Sequence, residues 1–112
     1  MSIDTAVHAL GALAHPHRLN AFRLLVRYGP DGLPAGRIAE HLSVPASTLS
    51  THLAQLERSA LLRSWRVGQR IFYAIDIEGT RDLIGFLLAD CCEGRPEICG
   101  YKVARSECAE LA

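Results

Sequence analysis

Residues 35 to 60 constrain the fold more than any other stretch of the chain. Ala35-Gly36-Arg37-Ile38-Ala39-Glu40-His41-Leu42 sets Ile38 and Leu42 four residues apart on one helical face. Ser43-Val44-Pro45 follows as a tight turn, and a second helix over Ala46 to Arg58 repeats Leu49, Leu53 and Leu56 at helical spacing. Those leucines must point inward. The opposite stripe is Ala46, Ser47, Ser50, Thr51 and Ala54, all short and mostly hydroxylic. A helix with so small an outer side can lie flat in a concave groove, and the major groove of DNA is the usual one. Taken alone, a helical hairpin with a solvated Ser/Thr face explains the stretch equally well.

The next segment decides between them. Leu61 to Arg66 and Arg70 to Ile75 are β-prone runs separated by Val67-Gly68-Gln69, where Gly68 supplies the positive φ of a tight hairpin turn. Arg66 and Arg70 flank the tip. Two helices joined by a turn and followed directly by an arginine-tipped hairpin form a winged helix-turn-helix, and the wing arginines suit phosphates or a minor groove. The expected fold class is therefore mainly α with a small β-hairpin.

The remaining elements fall around this body. Ile3 to Ala14 reads as a helix with Val7, Leu10 and Leu13 on one side. So short a chain has little to cover that face, which suggests a contact with a second copy. Pro16, in His15-Pro16-His17-Arg18, suits the first turn of the next helix. That helix runs to Tyr28, with Leu19, Phe22, Leu25 and Val26 as the expected buried stripe and Leu24 and Tyr28 beside it. Being apolar over more than half its circumference, it should be central. Asp76 to Cys91 reads as the last helix, with Ile84, Leu87, Leu88 and Cys91 in helical register and Leu83 and Phe86 widening the stripe, before Gly94 and Pro96 break it. The domain is expected over residues 1–92, with a C-terminal loop and tail over 93–112.

Composition adds bounds. At 112 residues the chain has room for one domain with a modest core, close to the size at which oligomerisation helps. No apolar run approaches the roughly 18 residues of a membrane span, and Met1-Ser2-Ile3-Asp4 opens no secretory signal. A cytoplasmic location without a membrane partner is the expectation, with the four cysteines as free thiols or ligands rather than disulfides. The net charge is zero but unevenly spread: Arg18 to Arg70 carries eight arginines against Asp31, Glu40 and Glu57, whereas Ile71 to Ala112 has four basic and eight acidic residues. A basic DNA-binding body with a separate function at the C-terminus fits that asymmetry.

The run Leu10-Gly11-Ala12-Leu13-Ala14-His15-Pro16-His17-Arg18-Leu19, the segment Ser47 to Leu56 and the wing through Tyr73 closely resemble the ArsR/SmtB family of bacterial winged-helix repressors that sense metals and metalloids. The resemblance covers roughly residues 4 to 90. It implies a homodimer built from the first and last helices, bound to an imperfect inverted repeat in double-stranded operator DNA and released by a ligand. Ala46, Ser47, Ser50 and Thr51 would then face DNA, with Arg66 and Arg70 on the wing. With no Arg, Lys, Asn or Gln on that stripe, direct base readout should be modest.

Family members place their inducer sites in different elements. The metalloid site on the first helix of the helix-turn-helix needs cysteines there, and Arg37 to Val44 has none. The zinc site on the last helix needs histidines, and none follows His52. There remain Cys91, Cys92 and Cys99, similar to the cysteines of those arsenic repressors that carry a vicinal pair and a third cysteine just beyond the last helix. Soft thiolates select thiophilic ions, and trivalent arsenic or antimony takes three sulfurs in a pyramid. Neighbouring helical residues point about 100° apart, so Cys91 and Cys92 converge only if the helix end unwinds. No organic cofactor is implied. Several readings stay open: a buried structural Cys91, two-thiolate capture of methylated trivalent arsenic, a four-thiolate zinc or cadmium site that adds Cys108, and a redox switch beside Arg95. Two further alternatives are a small thiol-dependent reductase, although no catalytic arrangement emerges, and a winged helix that binds protein rather than DNA.

Overall fold

The computed structural model describes residues 1–89, in which five helices surround one small sheet. Helix α1 (Ile3–Leu13) starts where the Ser2 hydroxyl accepts a hydrogen bond from the Thr5 amide at 3.1 Å. Helix α2 (Pro16–Tyr28) has proline in its first turn, and the His15 ring caps it by accepting from the His17 amide at 3.1 Å. Gly29, at φ +67°, ends α2 and leads through a 3₁₀ turn, Gly29–Asp31, into strand β1 (Leu33–Pro34). Helices α3 (Ala35–Leu42) and α4 (Ala46–Arg58) follow with the bounds that their leucine spacing predicts. Ser43 turns the chain between them in the left-handed conformation. Strands β2 (Leu62–Val67) and β3 (Arg70–Ile75) form the wing, and α5 (Ile77–Leu88) closes the described chain. Asp76 lies outside α5 and caps it, accepting from the Gly79 amide at 3.0 Å.

The hairpin is tighter than expected. Val67 pairs with Arg70, so the turn is Gly68-Gln69 alone, with Gly68 at φ +62°. The sheet is also larger than a hairpin. Strand β1 pairs antiparallel with β3, Leu33 opposite Tyr73 and Pro34 opposite Phe72, giving the order β1-β3-β2. Proline is tolerated because β1 is an edge strand.

The core is a continuous cluster running from Ala6 through Leu25, Ile38, Leu49, Leu53, Leu56, Leu61 and Leu62 to Leu83. Helix α2 is rotated relative to the sequence-based expectation, whereas α1 leaves its larger aliphatic face uncovered, as its pattern in so short a chain predicts. In α1 the inward face is Ala6, Ala9 and Ala12, while Val7 and Leu10 are 59% and 42% exposed. In α2 the buried residues are Ala21, Leu24 and Leu25, with Phe22 half-buried, whereas Leu19, Val26 and Tyr28 are exposed. In α1 alanine lets the backbone approach its neighbours closely, so the small face takes the core and the bulky face is left outside, whereas α2 packs Leu24 and Leu25 inward beside Ala21. Helix α2 does occupy the centre, touching α1, α3, α4 and β3. In α5 Leu83 is buried, Leu88 is half-buried, and Ile84, Phe86 and Leu87 are exposed. Gly79 lets α5 lie against the turn after α4, because a Cβ there would run into the Ala60 carbonyl. The end of the expected last helix at Cys91, the 92/93 boundary and the tail lie outside the described residues.

Candidate nucleic-acid interface

Helix α4 owes its position to its leucines. Leu49, Leu53 and Leu56 are essentially fully buried, and burying each contributes about 1.5–3 kcal/mol. That fixes the rotation of the helix, so Ala46, Ser47, Ser50 and Thr51 are all exposed on the opposite side, with Ala54 half-buried behind them. Thr48 is exposed beside them. The N-terminus of α4 begins at Pro45 with no side-chain cap. Its first-turn amides therefore need partners from outside the helix, and with the dipole they favour an anion such as a DNA phosphate.

The wing is braced on both sides. On its core side the Ser64 hydroxyl donates to Glu57 Oε2 at 2.7 Å, tying the last turn of α4 to β2. The Tyr73 hydroxyl is pushed above its usual pKa by burial and then by the Glu57 charge, so it stays neutral. On the outer side Trp65 stacks on Phe72 across the strands, with ring centroids 5.7 Å apart and planes 16° from parallel. Arg63 lies over Trp65 at 4.6 Å and donates to the Pro30 carbonyl at 3.0 Å, and Arg70 lies over Phe72 at 5.6 Å.

Arg66 and Arg70 are both exposed near the tip, but on opposite faces of the ribbon. Arg66 pairs with Ile71 and Arg70 with Val67, and alternate residues of a strand face opposite ways. The structure thus brings Ala46, Ser47, Ser50 and Thr51 together and separates the two arginines. The aromatic stack beneath Arg70 was not foreseen, although the cross-strand pair Trp65–Phe72 is the signal that could have revealed it.

Cys91, Cys92 and Cys99, and Cys108 with them, lie outside the described residues. Among the described residues no three His, Cys, Asp or Glu side chains are placed to hold a metal ion, and no helix is long and apolar enough to cross a membrane.

Comparison with known proteins agrees with this geometry. A family described as a helix-turn-helix domain matches residues 13–64, which hold α2, α3, α4 and the first three residues of β2. The chain is 31% identical over 87 residues to the transcriptional repressor PagR of Bacillus anthracis, covering 78% of this chain and 85% of that protein. It is 30% identical over 88 residues to the transcriptional activator HlyU of Vibrio cholerae, covering 79% of each. Among solved structures, the homodimeric winged helix-turn-helix DNA-binding domain of a possible ArsR-family regulator from Mycobacterium bovis superposes with a TM-score of 0.64. It is 26% identical and covers 80% of this chain and 82% of that one.

Proposed function

Because the chain belongs to the ArsR family of winged helix-turn-helix transcriptional regulators, we propose that it is a homodimeric repressor of operator DNA, released when trivalent arsenic binds Cys91, Cys92 and Cys99. Trivalent antimony, which is thiophilic and takes three sulfurs in the same way, is the second inducer. The observation that carries the DNA half of this reading is α4 itself, a helix with three buried leucines and an outer face of alanine, serine and threonine. Ser47, Ser50 and Thr51 meet bases or phosphates, and Arg66 and Arg70 add charge from the wing. The dimer is supported by the exposed aliphatic side chains of α1 and α5, Ile3, Val7 and Leu10 on one and Ile84 and Leu87 on the other.

The inducer half rests on thiolate chemistry. A route from site to DNA follows from position. Leu87 is four residues before Cys91, so drawing Cys91 toward a shared ion pulls on the exposed face of α5. If that face joins two copies, the pull changes the spacing of the two DNA-reading helices, which the half-sites require. The ion shifts the balance only by its difference in affinity for the two dimer shapes.

Arsenite titration of the reduced protein, followed by sulfur-to-arsenic absorbance and by release from operator DNA, tests the reading. The variants Cys91→Ser, Cys92→Ser and Cys99→Ser should each bind DNA normally and lose most of the arsenite response, while Cys108→Ser behaves as the parent. Loss at Cys108 as well assigns a four-thiolate divalent metal, and loss at Cys91 and Cys92 alone assigns a two-thiolate ligand such as methylarsenite. A full arsenite response in the triple variant rules out the sensor.

A further inference from the structure

The corner between α1 and α2 holds a cluster of basic groups that the outer face of α4 does not use. Three imidazoles meet there. The ring centroids of His15 and His52 are 4.4 Å apart, those of His15 and His17 5.3 Å, and those of His17 and His52 5.5 Å. The cluster is not built for a metal ion, because His15 Nδ1 already accepts from the His17 amide and a guanidinium stands against His52. That guanidinium belongs to Arg18. Its Nε–H donates to the Ala12 carbonyl at the end of α1, and its Nη1 lies 3.3 Å from His52 Nδ1. Arginine offers only donors, so this contact requires a lone pair on Nδ1 and hence a neutral His52. One side chain from α2 thereby joins the last turn of α1 to the middle of α4.

We propose that Arg18 and His52 are positioning residues for the DNA-reading helix, and that a proton gained by His52 breaks their contact and weakens DNA binding. The proposal rests on the reading of α4 as that helix. His52 follows Ser50 and Thr51 directly in the sequence, so a tilt of α4 at this point moves both residues in the groove.

Protonation would remove the acceptor and set a second cation against the guanidinium. Among the described residues the charged and titratable groups acting on His52 are His15 from the turn before α2 and His17 and Arg18 from α2. All of them are basic, and α1 meets the cluster through the Ala12 carbonyl. Burial first, then His15, Arg18 and His17 in that order, hold the His52 pKa below 6.5. The hydrogen bond is therefore intact above that value and breaks as pH falls through the depressed pKa. Imidazoles that met phosphate directly would give the opposite sign, since their protonation would tighten binding in acid.

The test uses the full chain and a labelled duplex that it selects from a random-sequence library at pH 7.5. Affinity is measured from pH 7.5 to 5.5 at fixed ionic strength, while NMR follows the His52 ring. The parent should lose about fivefold in affinity as His52 gains its proton, well within the roughly hundredfold per pH unit that one proton on each of two protomers allows. His52→Gln keeps an acceptor without titrating and should flatten that loss. Arg18→Met should raise the NMR-measured pKa of His52 and weaken binding at pH 7.5, with cooperative melting retained, and Arg18→Lys should restore part of the loss. Affinity that is flat or rises in acid, alike in the parent and His52→Gln, overturns the proposal. So does a selected duplex bound by a protein whose His52 titrates at 6.5 or above. A chain that selects no duplex at all overturns the DNA reading beneath it, a result distinct from either.

Discussion

Helices α4 and α1 are built on opposite plans. In α4 the large residues, Leu49, Leu53 and Leu56, are inside and the small ones face out. In α1 the small residues, Ala6, Ala9 and Ala12, are inside and the large ones, Ile3, Val7 and Leu10, face out. Both helices touch the same core, so burial alone does not explain the difference. What each presents outward does. A small polar face suits a groove lined with phosphates and base edges, where bulk is excluded. A bulky aliphatic face left in water gains about 25 cal/mol for each Å² that another apolar surface covers, and α5 adds Ile84 and Leu87 to the exposed aliphatic surface. One plan fits a nucleic acid and the other fits a second copy of the chain.

The contrast breaks most visibly if charge is placed on the aliphatic plan. Val7→Glu together with Leu87→Glu should convert the proposed dimer to a folded monomer, seen by sedimentation equilibrium, because both side chains are already exposed within one chain. Operator affinity should then fall by about a thousandfold, as the two half-sites are no longer held at a fixed spacing. A double variant that stays dimeric would show that α1 and α5 are not the interface.

Next in size is the reverse experiment on α4. Ser50→Leu puts bulk on the face that must enter the groove, and should cost about a hundredfold in operator affinity, roughly 2.7 kcal/mol. Sedimentation and melting should stay unchanged because Ser50 is exposed. Parental affinity in this variant would mean that another face of α4 reads DNA.

These plans were not equally legible in the sequence. For α3 and α4 the leucine spacing and the Ser43-Val44-Pro45 turn were enough to set both the ends and the rotation, since in α4 the apolar residues form a single stripe. In α2 apolar residues cover more than half the circumference, so periodicity does not single out the side of Ala21, Leu24 and Leu25 that packs inward. In α1 the uncovered aliphatic face could be read, but not that Ala6, Ala9 and Ala12 form the inward one, because alanine is a weak apolar signal and close packing selects it. Strand β1 was missed because two residues, one of them proline, carry no periodicity. The Arg18–His52 contact spans 34 positions, a distance over which local pattern carries no information. Pairing across the wing was partly legible: the strands could be read from β-propensity, but the separation of Arg66 from Arg70 follows only once Val67 is known to pair with Arg70.

A substitution inside α1 sharpens the comparison further. Ala9 is fully buried, so Ala9→Leu, which would look conservative on an aliphatic helix, should overpack the contact and cost about 1–3 kcal/mol. Chemical denaturation of the monomeric double variant isolates that cost from dimerisation. If Ala9→Leu is neutral there, the alanine face is not what seats α1.

The smallest effect is expected at the wing, where the division of labour between the two plans is least sharp. Arg66 and Arg70 extend from opposite faces of one ribbon, so a single phosphate cannot serve both, and each should contribute separately. Every phosphate left without its arginine should flatten the dependence of log affinity on log salt by about 0.9. In a homodimer each substitution removes two arginines, so Arg66→Ala and Arg70→Ala should each flatten the slope by about 1.8 and the double variant by about 3.6, with similar losses on specific and unrelated duplexes because phosphates carry no sequence information. Arg70 additionally lies over Phe72, which restricts it before DNA arrives. Phe72→Leu should therefore reproduce part of the affinity loss of Arg70→Ala while leaving the charge, and with it the salt slope, almost unchanged. A slope that does not move when both arginines are removed would mean that the wing stays clear of the duplex, leaving α4 to hold DNA without it.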